Sequence, residues 1–306
     1  MTRKTAFCVQ RVLLVSMLVW MPSAFPQIVC AAERDSSAAD KQAPSEDPAK
    51  QDRNRELEEM RRRAQSTKVW QVRGGERISA GLVPVPVLRF DSQYHGCIDA
   101  TVWLYGVKGR PAAVQEVECY RRPGTPKYFY CLSSLSDGLI GAEWSGERQW
   151  TSTKPGIELR VLPDGPKAAS SEAGRMRQMK QMLRRFTATR VDPGNLREEN
   201  RALTQPIHRY RDADSGLQDG AIFVFVANGT APDFFLLLEL RGSDLEHATW
   251  NYAAHRTTTG ELHLRLDGQE VWSVPIQSNP GRDVYDTWLF FFATRQVDEG
   301  RRGGPP

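Results

Sequence analysis

Residues 219–240 read DGAIFVFVANGTAPDFFLLLEL, and their apolar positions follow two rules in turn. Ile222, Val224 and Val226 alternate with Ala221, Phe223 and Phe225, a β-branched and aromatic series that suits a pleated sheet. Asn228-Gly229 supplies the positive φ angles of a tight hairpin turn. Phe234 to Leu238 is then an unbroken apolar run, as in a strand covered on both faces. A buried helix is the rival reading, but the run is short and bounded by Pro232 and Gly242. The pattern predicts a strand, a tight turn and a second strand. The same plan stands at 99–119, DATVWLYGVKGRPAAVQEVEC.

The likeness extends beyond the hairpins. Pro86 matches Pro206, Arg89 matches Arg209, Asp99 matches Asp219 and Gly109 matches Gly229, all at an offset of 120. One inserted residue moves the offset to 121, where Pro111 meets Pro232 and Glu118 meets Glu239. A further one gives 122, where Tyr130 meets Tyr252, Gly138 meets Gly260, Gly146 meets Gly268 and Trp150 meets Trp272. Upstream, 60–67 matches 182–189, also at 122. A unit of this length is a small domain rather than a solenoid repeat.

Each unit opens on a predicted helix. Leu57, Met60 and Ala64 fall at helical spacing in 55–64, and Met179, Met182, Leu183 and Phe186 make a fuller stripe in 175–186. Strands are predicted near 86–90, 99–105, 113–120, 127–133, 139–144 and 148–152, and again near 207–210, 221–227, 234–240, 249–254, 261–266 and 270–274. Ser145-Gly146 and Asp267-Gly268 signal short turns, hence an antiparallel meander. The fold class is α+β: a tandem duplication of one N-terminal helix packed on a meander of about five to six strands. The aromatic stretch 284–293, VYDTWLFFFA, has no aromatic counterpart after the first unit, where 157–162 stands instead. It reads as an extra strand that covers an edge or joins the two units.

The ends of the chain behave differently. Arg3, Lys4 and Arg11 flank an apolar core at 12–21, and Val29-Cys30-Ala31-Ala32 offers a small-residue cleavage site. Residues 1–32 therefore read as a secretory signal. Cys30 also fits a lipoprotein signal, and an uncleaved anchor is the third option. Residues 33–54 have the composition of a flexible linker, 55–162 form the first unit, 163–173 a second linker, 174–295 the second unit, and 296–306 a disordered tail. Removing the signal takes the formal charge from +4 to about +1. A near-neutral mature chain argues against a nucleic-acid partner. It leaves no span for the membrane and points to a secreted, periplasmic or envelope-associated protein.

The mature part keeps Cys97, Cys119 and Cys131. Cys119 and Cys131 are equidistant from Thr125, so a regular hairpin would face them across neighbouring strands, as a disulfide or as two buried thiols. No histidine pair has metalloprotease spacing, and His95, His208, His247, His255 and His263 do not recur between units. No metal site, cofactor fingerprint, nucleophile elbow or phosphate loop stands out. The polar matches are Arg89 with Arg209, Asp99 with Asp219, and Glu118 with Glu239. They form either a ligand-gripping cluster or an ion pair that fixes each unit. Glu239 shares a strand face with Phe235 and Leu237, so it points at an apolar layer and needs a cation. Arg209 is the expected partner.

The hairpin sequence, with RRFTATR before it and LRLDGQEVWSVP after it, resembles an uncharacterised family of secreted proteins of planctomycete-type bacteria. The resemblance covers 179–275 and implies export, with no assigned activity. Two functions are expected from these observations. One is a non-enzymatic exported protein that binds an envelope component, small ligand or protein partner. The other is a hydrolase with its site between the units, on Asp219, Glu239 and Arg209.

Overall fold

The structure, a computed structural model, describes residues 48–92, 96–106, 108–122, 125–145, 148–277 and 286–292. The signal, most of the first linker, the tail, Cys8, Cys30 and His95 lie outside the described residues. Helix α1 spans Pro48–Ser66, so its first turns take up the end of the stretch assigned to the linker. There follow β1 (Thr67–Arg73), β2 (Glu76–Ala80), β3 (Leu88–Ser92), β4 (Cys97–Tyr105), β5 (Ala113–Arg122), β6 (Thr125–Ser134), β7 (Leu139–Trp144), β8 (Arg148–Thr151) and β9 (Arg160–Val161). Helix α2 (Glu172–Leu183) opens the second half, capped by the Ser171 hydroxyl on the Gly174 N–H. It leads to β10 (Phe186–Val191), β11 (Arg197–Ala202), β12 (His208–Asp212), β13 (Leu217–Val226), β14 (Phe234–Arg241), β15 (Thr249–Arg256), β16 (Glu261–Leu266), β17 (Gln269–Val274) and β18 (Trp288–Phe292).

The chain is sheet-rich and antiparallel, but each half builds two layers instead of the single meander expected. In the first half β7 leaves β6 and pairs with β1, giving the order β2-β1-β7-β8 beside β6-β5-β4-β3. In the second half the two groups of strands join as one nine-stranded sheet, β17-β16-β10-β11-β13-β14-β15-β9 with β12 on β13, because β11 pairs with both β10 and β13. The hairpins β1-β2 and β10-β11 were absent from the sequence expectation. Gly74 and Gly75, both at positive φ, make the tight turn of the first. The second hides in charge: Arg197, Glu199 and Arg201 of β11 are exposed.

Three apolar cores separate the layers. Met60, Ala64, Val69, Trp103, Trp144 and Trp150 form one between α1, the β1-β7 sheet and the β4-β5 face. Met179, Leu183, Phe223, Phe234, Leu236 and Leu264 form its counterpart under α2. Val102, Leu104 and Val114 meet Ile222, Val224 and Leu237 in the third, which packs the inner sheets of the two halves face to face. Strand alternation explains the division. Phe223 and Leu236 point to one core, Ile222 and Leu237 to the other, so β13 and β14 are apolar on both faces.

Positions matched by the sequence offsets of 120 and 121 pair alike. Val102 lies opposite Glu116 as Ile222 lies opposite Leu237, and Leu82 bridges Tyr105 as Ala202 bridges Phe225. At the head of each half the offset differs from the one read in the sequence. Arg89 bonds the carbonyl of Arg53, and Arg209 that of Glu172, which places the helices at an offset of 119 rather than 122. Buried Met60 then answers buried Met179.

Two strands cross between the halves. β9, at the end of the first half, pairs with β15 through Asn251 and Tyr252. β18, at the end of the second half, pairs with β6 from Phe129 to Ser133. The aromatic stretch near 284–293 therefore closes an edge of the first half, and the halves are not separable modules.

Candidate functional site

The Asn228-Gly229 pair sits in a longer loop than expected. The last β13-β14 pair is Phe225 with Phe234, and only Gly229 of the two turn residues has positive φ. Asp233 closes this loop, accepting from the Ala227 N–H at 2.6 Å, the Asn200 amide at 2.7 Å and Arg190 Nη1 at 2.7 Å. The loop joining β4 to β5 is its counterpart and carries Arg110. Each loop reaches across to the other half. Gly109 closes on the side chain of Asp212, where a Cβ would come within 3.2 Å, and Gly229 lies against Asp91.

Arg110 reaches Glu239, which is completely buried, with Nη1 3.3 Å from both carboxylate oxygens. Its Nη2 bonds Asp137 at 2.6 Å. Glu239 also accepts from the Tyr210 hydroxyl at 2.9 Å and Arg241 Nη1 at 2.8 Å. Burial works against the Arg110 charge, yet Glu239 and Asp137 hold its pKa above the ordinary value. Gly220 makes room for the Tyr210 ring, which would lie 2.6 Å from any Cβ there.

Glu239 thus meets cations, but not the expected Arg209. Arg209 lies opposite Ala221 and Tyr210 opposite Gly220, which in turn faces Glu239. Alternation puts Arg209 on the α2 side of the sheet and Tyr210 on the Glu239 side. Arg209 instead pairs with Asp219, Nε to Oδ1 at 2.9 Å, and Asp219 also takes Arg175 Nε at 2.6 Å. Arg89 pairs with Asp99 in the same way, at 2.8 Å. These two ion pairs tie each helix to its inner sheet, and Arg89, Asp99, Arg209 and Asp219 are absent from the lining of the two cavities formed by described residues.

Glu118 is different. It lies with Glu116 on one face of β5, toward the layer between the inner sheets, and both are buried. They border a cavity of about 280 Å³ that is also lined by Phe90, Tyr120, Phe129, Trp288 and Phe290. Tyr120 donates to Glu118 Oε2 at 2.5 Å and Thr257 Oγ1 to Glu116 Oε1 at 2.6 Å. The two carboxyls are neighbours on that face and their ionisations are linked. Burial raises the pKa of both, and for Glu116 the neighbouring Glu118 charge adds to it. Arg190 stands at the rim, but Asp233 and Glu198 hold it. Among the described residues no ion pair reaches Glu116 or Glu118.

Sequence reasoning named Glu118 but missed Glu116, Arg110 and Thr257. One signal was available for Glu116: it stands two positions from Glu118, so the two share a strand face, and its match in the second unit is Leu237. Cys119 and Cys131 do not face each other. Arg122 pairs with Thr125, which sets Cys119 opposite Tyr128 and Cys131 opposite Glu116. The hairpin centre is shifted from Thr125, the cysteines fall on opposite faces, and no disulfide joins them. Burial and Glu116 push the Cys131 thiol well above its ordinary pKa, and the Trp288 indole donates to its sulfur at 2.7 Å. Buried His255 is held near pKa 4 by desolvation and bonds the Arg256 carbonyl and Thr287.

Among the described residues no group of three or more His, Cys, Asp or Glu is placed to hold a metal, and no helix is long and apolar enough to cross a membrane. Compared with family models, curated proteins and solved structures, the chain matches none.

Proposed function

We propose that this is an exported, non-enzymatic binding protein made of two fused copies of one α+β unit, with its ligand site in the pocket on Glu116 and Glu118. The observation that carries the reading is the cavity itself: a concave, aromatic-walled space at the junction of the halves with two buried carboxylates on its floor. Duplication draws support from the recurring Arg–Asp pairs, the matching strand registers and the crossing strands. Export draws support from the basic start and short apolar core, and from the resemblance to secreted planctomycete-type proteins.

A hydrolase is the second reading. Its favouring observation is the adjacent, buried Glu116–Glu118 pair, whose raised pKa values suit proton exchange. Arg209 and Asp219 are engaged with each other, and Glu239 with Arg110, so this reading rests on the Glu116 pair alone.

The site reading is tested by recovering the mature protein from the cell envelope, denaturing it, and reading the released small molecules by mass spectrometry. An Ala231→Trp variant, plugged at the pocket wall, is run beside it. A stoichiometric small molecule that the variant loses supports the site. Equal amounts in both, or none in either, counts against it.

A further inference from the structure

We infer that the pocket takes a small organic cation: a guanidinium or primary ammonium group on a short alkyl chain. The inference rests on the pocket being the binding site and names what it binds. Its basis is a comparison within one molecule. At one place in the layer between the inner sheets, Glu239 of the second half meets Asp137 and the guanidinium of Arg110 from the first half, the latter delivered by the β4-β5 loop. At the place that matches it with the halves exchanged stand Glu118 of the first half and Thr259 of the second, with Thr230-Ala231 where the loop carries its inserted residue, and Ala231 lines the cavity that opens there. Among the described residues no guanidinium is paired with Glu118, while the glutamate itself is kept.

A second change goes the same way. Leu237 of β14 corresponds to Glu116 of β5, so the vacant place has gained a carboxylate where the filled one has an apolar side chain. Ionising both buried carboxyls with no cation beside them costs free energy, which is why burial lifts both toward the neutral form. A cation that donates to both would offset that cost with charge-assisted hydrogen bonds. The walls suit an organic cation. Tyr120 and Phe129 meet edge-on with centroids 4.5 Å apart, and Phe129 and Phe290 stack at 5.1 Å. Such rings hold the alkyl part and attract the charge through their faces. The volume accommodates a group the size of an arginine or lysine side chain rather than a large ligand.

Binding should release a proton. The cation needs ionised carboxylates, and both glutamates are lifted toward the neutral form. Affinity therefore rises with pH until both are ionised in the free protein. The other titratable groups facing them are Tyr120, Cys97 and Cys131, all raised and neutral through this range, and Asp233, which is held by Arg190.

The test is calorimetry of the folded mature chain with butylguanidinium, butylammonium and, as a neutral isostere, butylurea. N-acetylarginine amide adds a peptide-borne source of the same group. The two alkyl cations should bind saturably, and butylurea about tenfold more weakly or worse. Glu116→Gln and Glu118→Gln should each weaken the cations by about tenfold. Ala231→Arg, which restores the guanidinium that the other half has, should abolish binding while its circular dichroism spectrum stays native. Tighter binding of the arginine amide than of butylguanidinium would assign a peptide source, and the reverse a free amine. Equal affinity for butylurea and butylguanidinium, no saturation, or undiminished binding by Ala231→Arg overturns the inference. If a neutral molecule instead copurifies and is lost from Ala231→Trp, the cation class falls and the site stands.

Discussion

Replacing Arg110 by Met keeps the apolar stem of the side chain and removes its charge. Its guanidinium lies 3.3 Å from both oxygens of Glu239, which has no exposure, and its own side chain is 9% exposed. At that distance and an effective dielectric constant of about 20, the attraction is about 5 kcal/mol before desolvation is counted. Removing one member of a fully buried pair costs about 3–5 kcal/mol, mainly through the charge left behind. Glu239 retains Arg241 at 2.8 Å and the Tyr210 hydroxyl, and Arg241 is partly exposed. We therefore expect Arg110→Met to cost about 2–4 kcal/mol. Adding Glu239→Gln removes the stranded charge and should restore the protein to within about 1 kcal/mol of wild type. Urea unfolding of the two single variants and the double variant gives the coupling directly. Arg209→Met, tested in the same cycle, should show almost no coupling to Glu239, because it lies on the other face of the sheet and pairs with Asp219. A cost below about 1 kcal/mol for Arg110→Met, or strong coupling of Glu239 to Arg209, would refute the reasoning.

Three further outcomes follow. The raised Glu116 pKa adds stability that is complete below the ordinary carboxylate range and lost as pH rises through the folded value. Glu116→Gln should therefore gain melting temperature relative to wild type as pH rises above the ordinary carboxylate range, and a constant difference would contradict it. Trp288→Ala, in the strand that closes the first half, should cost about 3–5 kcal/mol in urea unfolding because Trp288 is buried against Cys131 and Arg256. Native mature protein should show no mass change on reduction, while denatured protein should take up maleimide at Cys97, Cys119 and Cys131. Two blocked thiols would restore the disulfide.

The elements legible in the sequence were those whose apolar pattern is strong. β13 and β14 are apolar on both faces because each packs between two cores, and their pairing followed from that. β11 was illegible because REENRA places mostly charged side chains on an exposed strand, held by its neighbours rather than by its own burial. The departure of β7 from β6 to β1 is a long-range choice that short-turn logic cannot contain. At the site, repeat matching found Glu118 and Glu239 but assigned Glu239 the wrong arginine. The deciding fact is which face of β12 Arg209 occupies, and a loop from the other half supplies the true partner. Glu116 escaped for the opposite reason: it is what the two halves do not share.

The central claim is that the Glu116–Glu118 pocket is built for a cation. A crystal structure of the mature chain with butylguanidinium at saturation tests it most directly. The account predicts a planar guanidinium between the two carboxylates, within hydrogen-bond distance of both, against the rings of Phe129 and Trp288, and absent from Ala231→Arg crystals. Density for the ligand only elsewhere, with Glu118 still bonded to Tyr120 and Glu116 to Thr257, would contradict it.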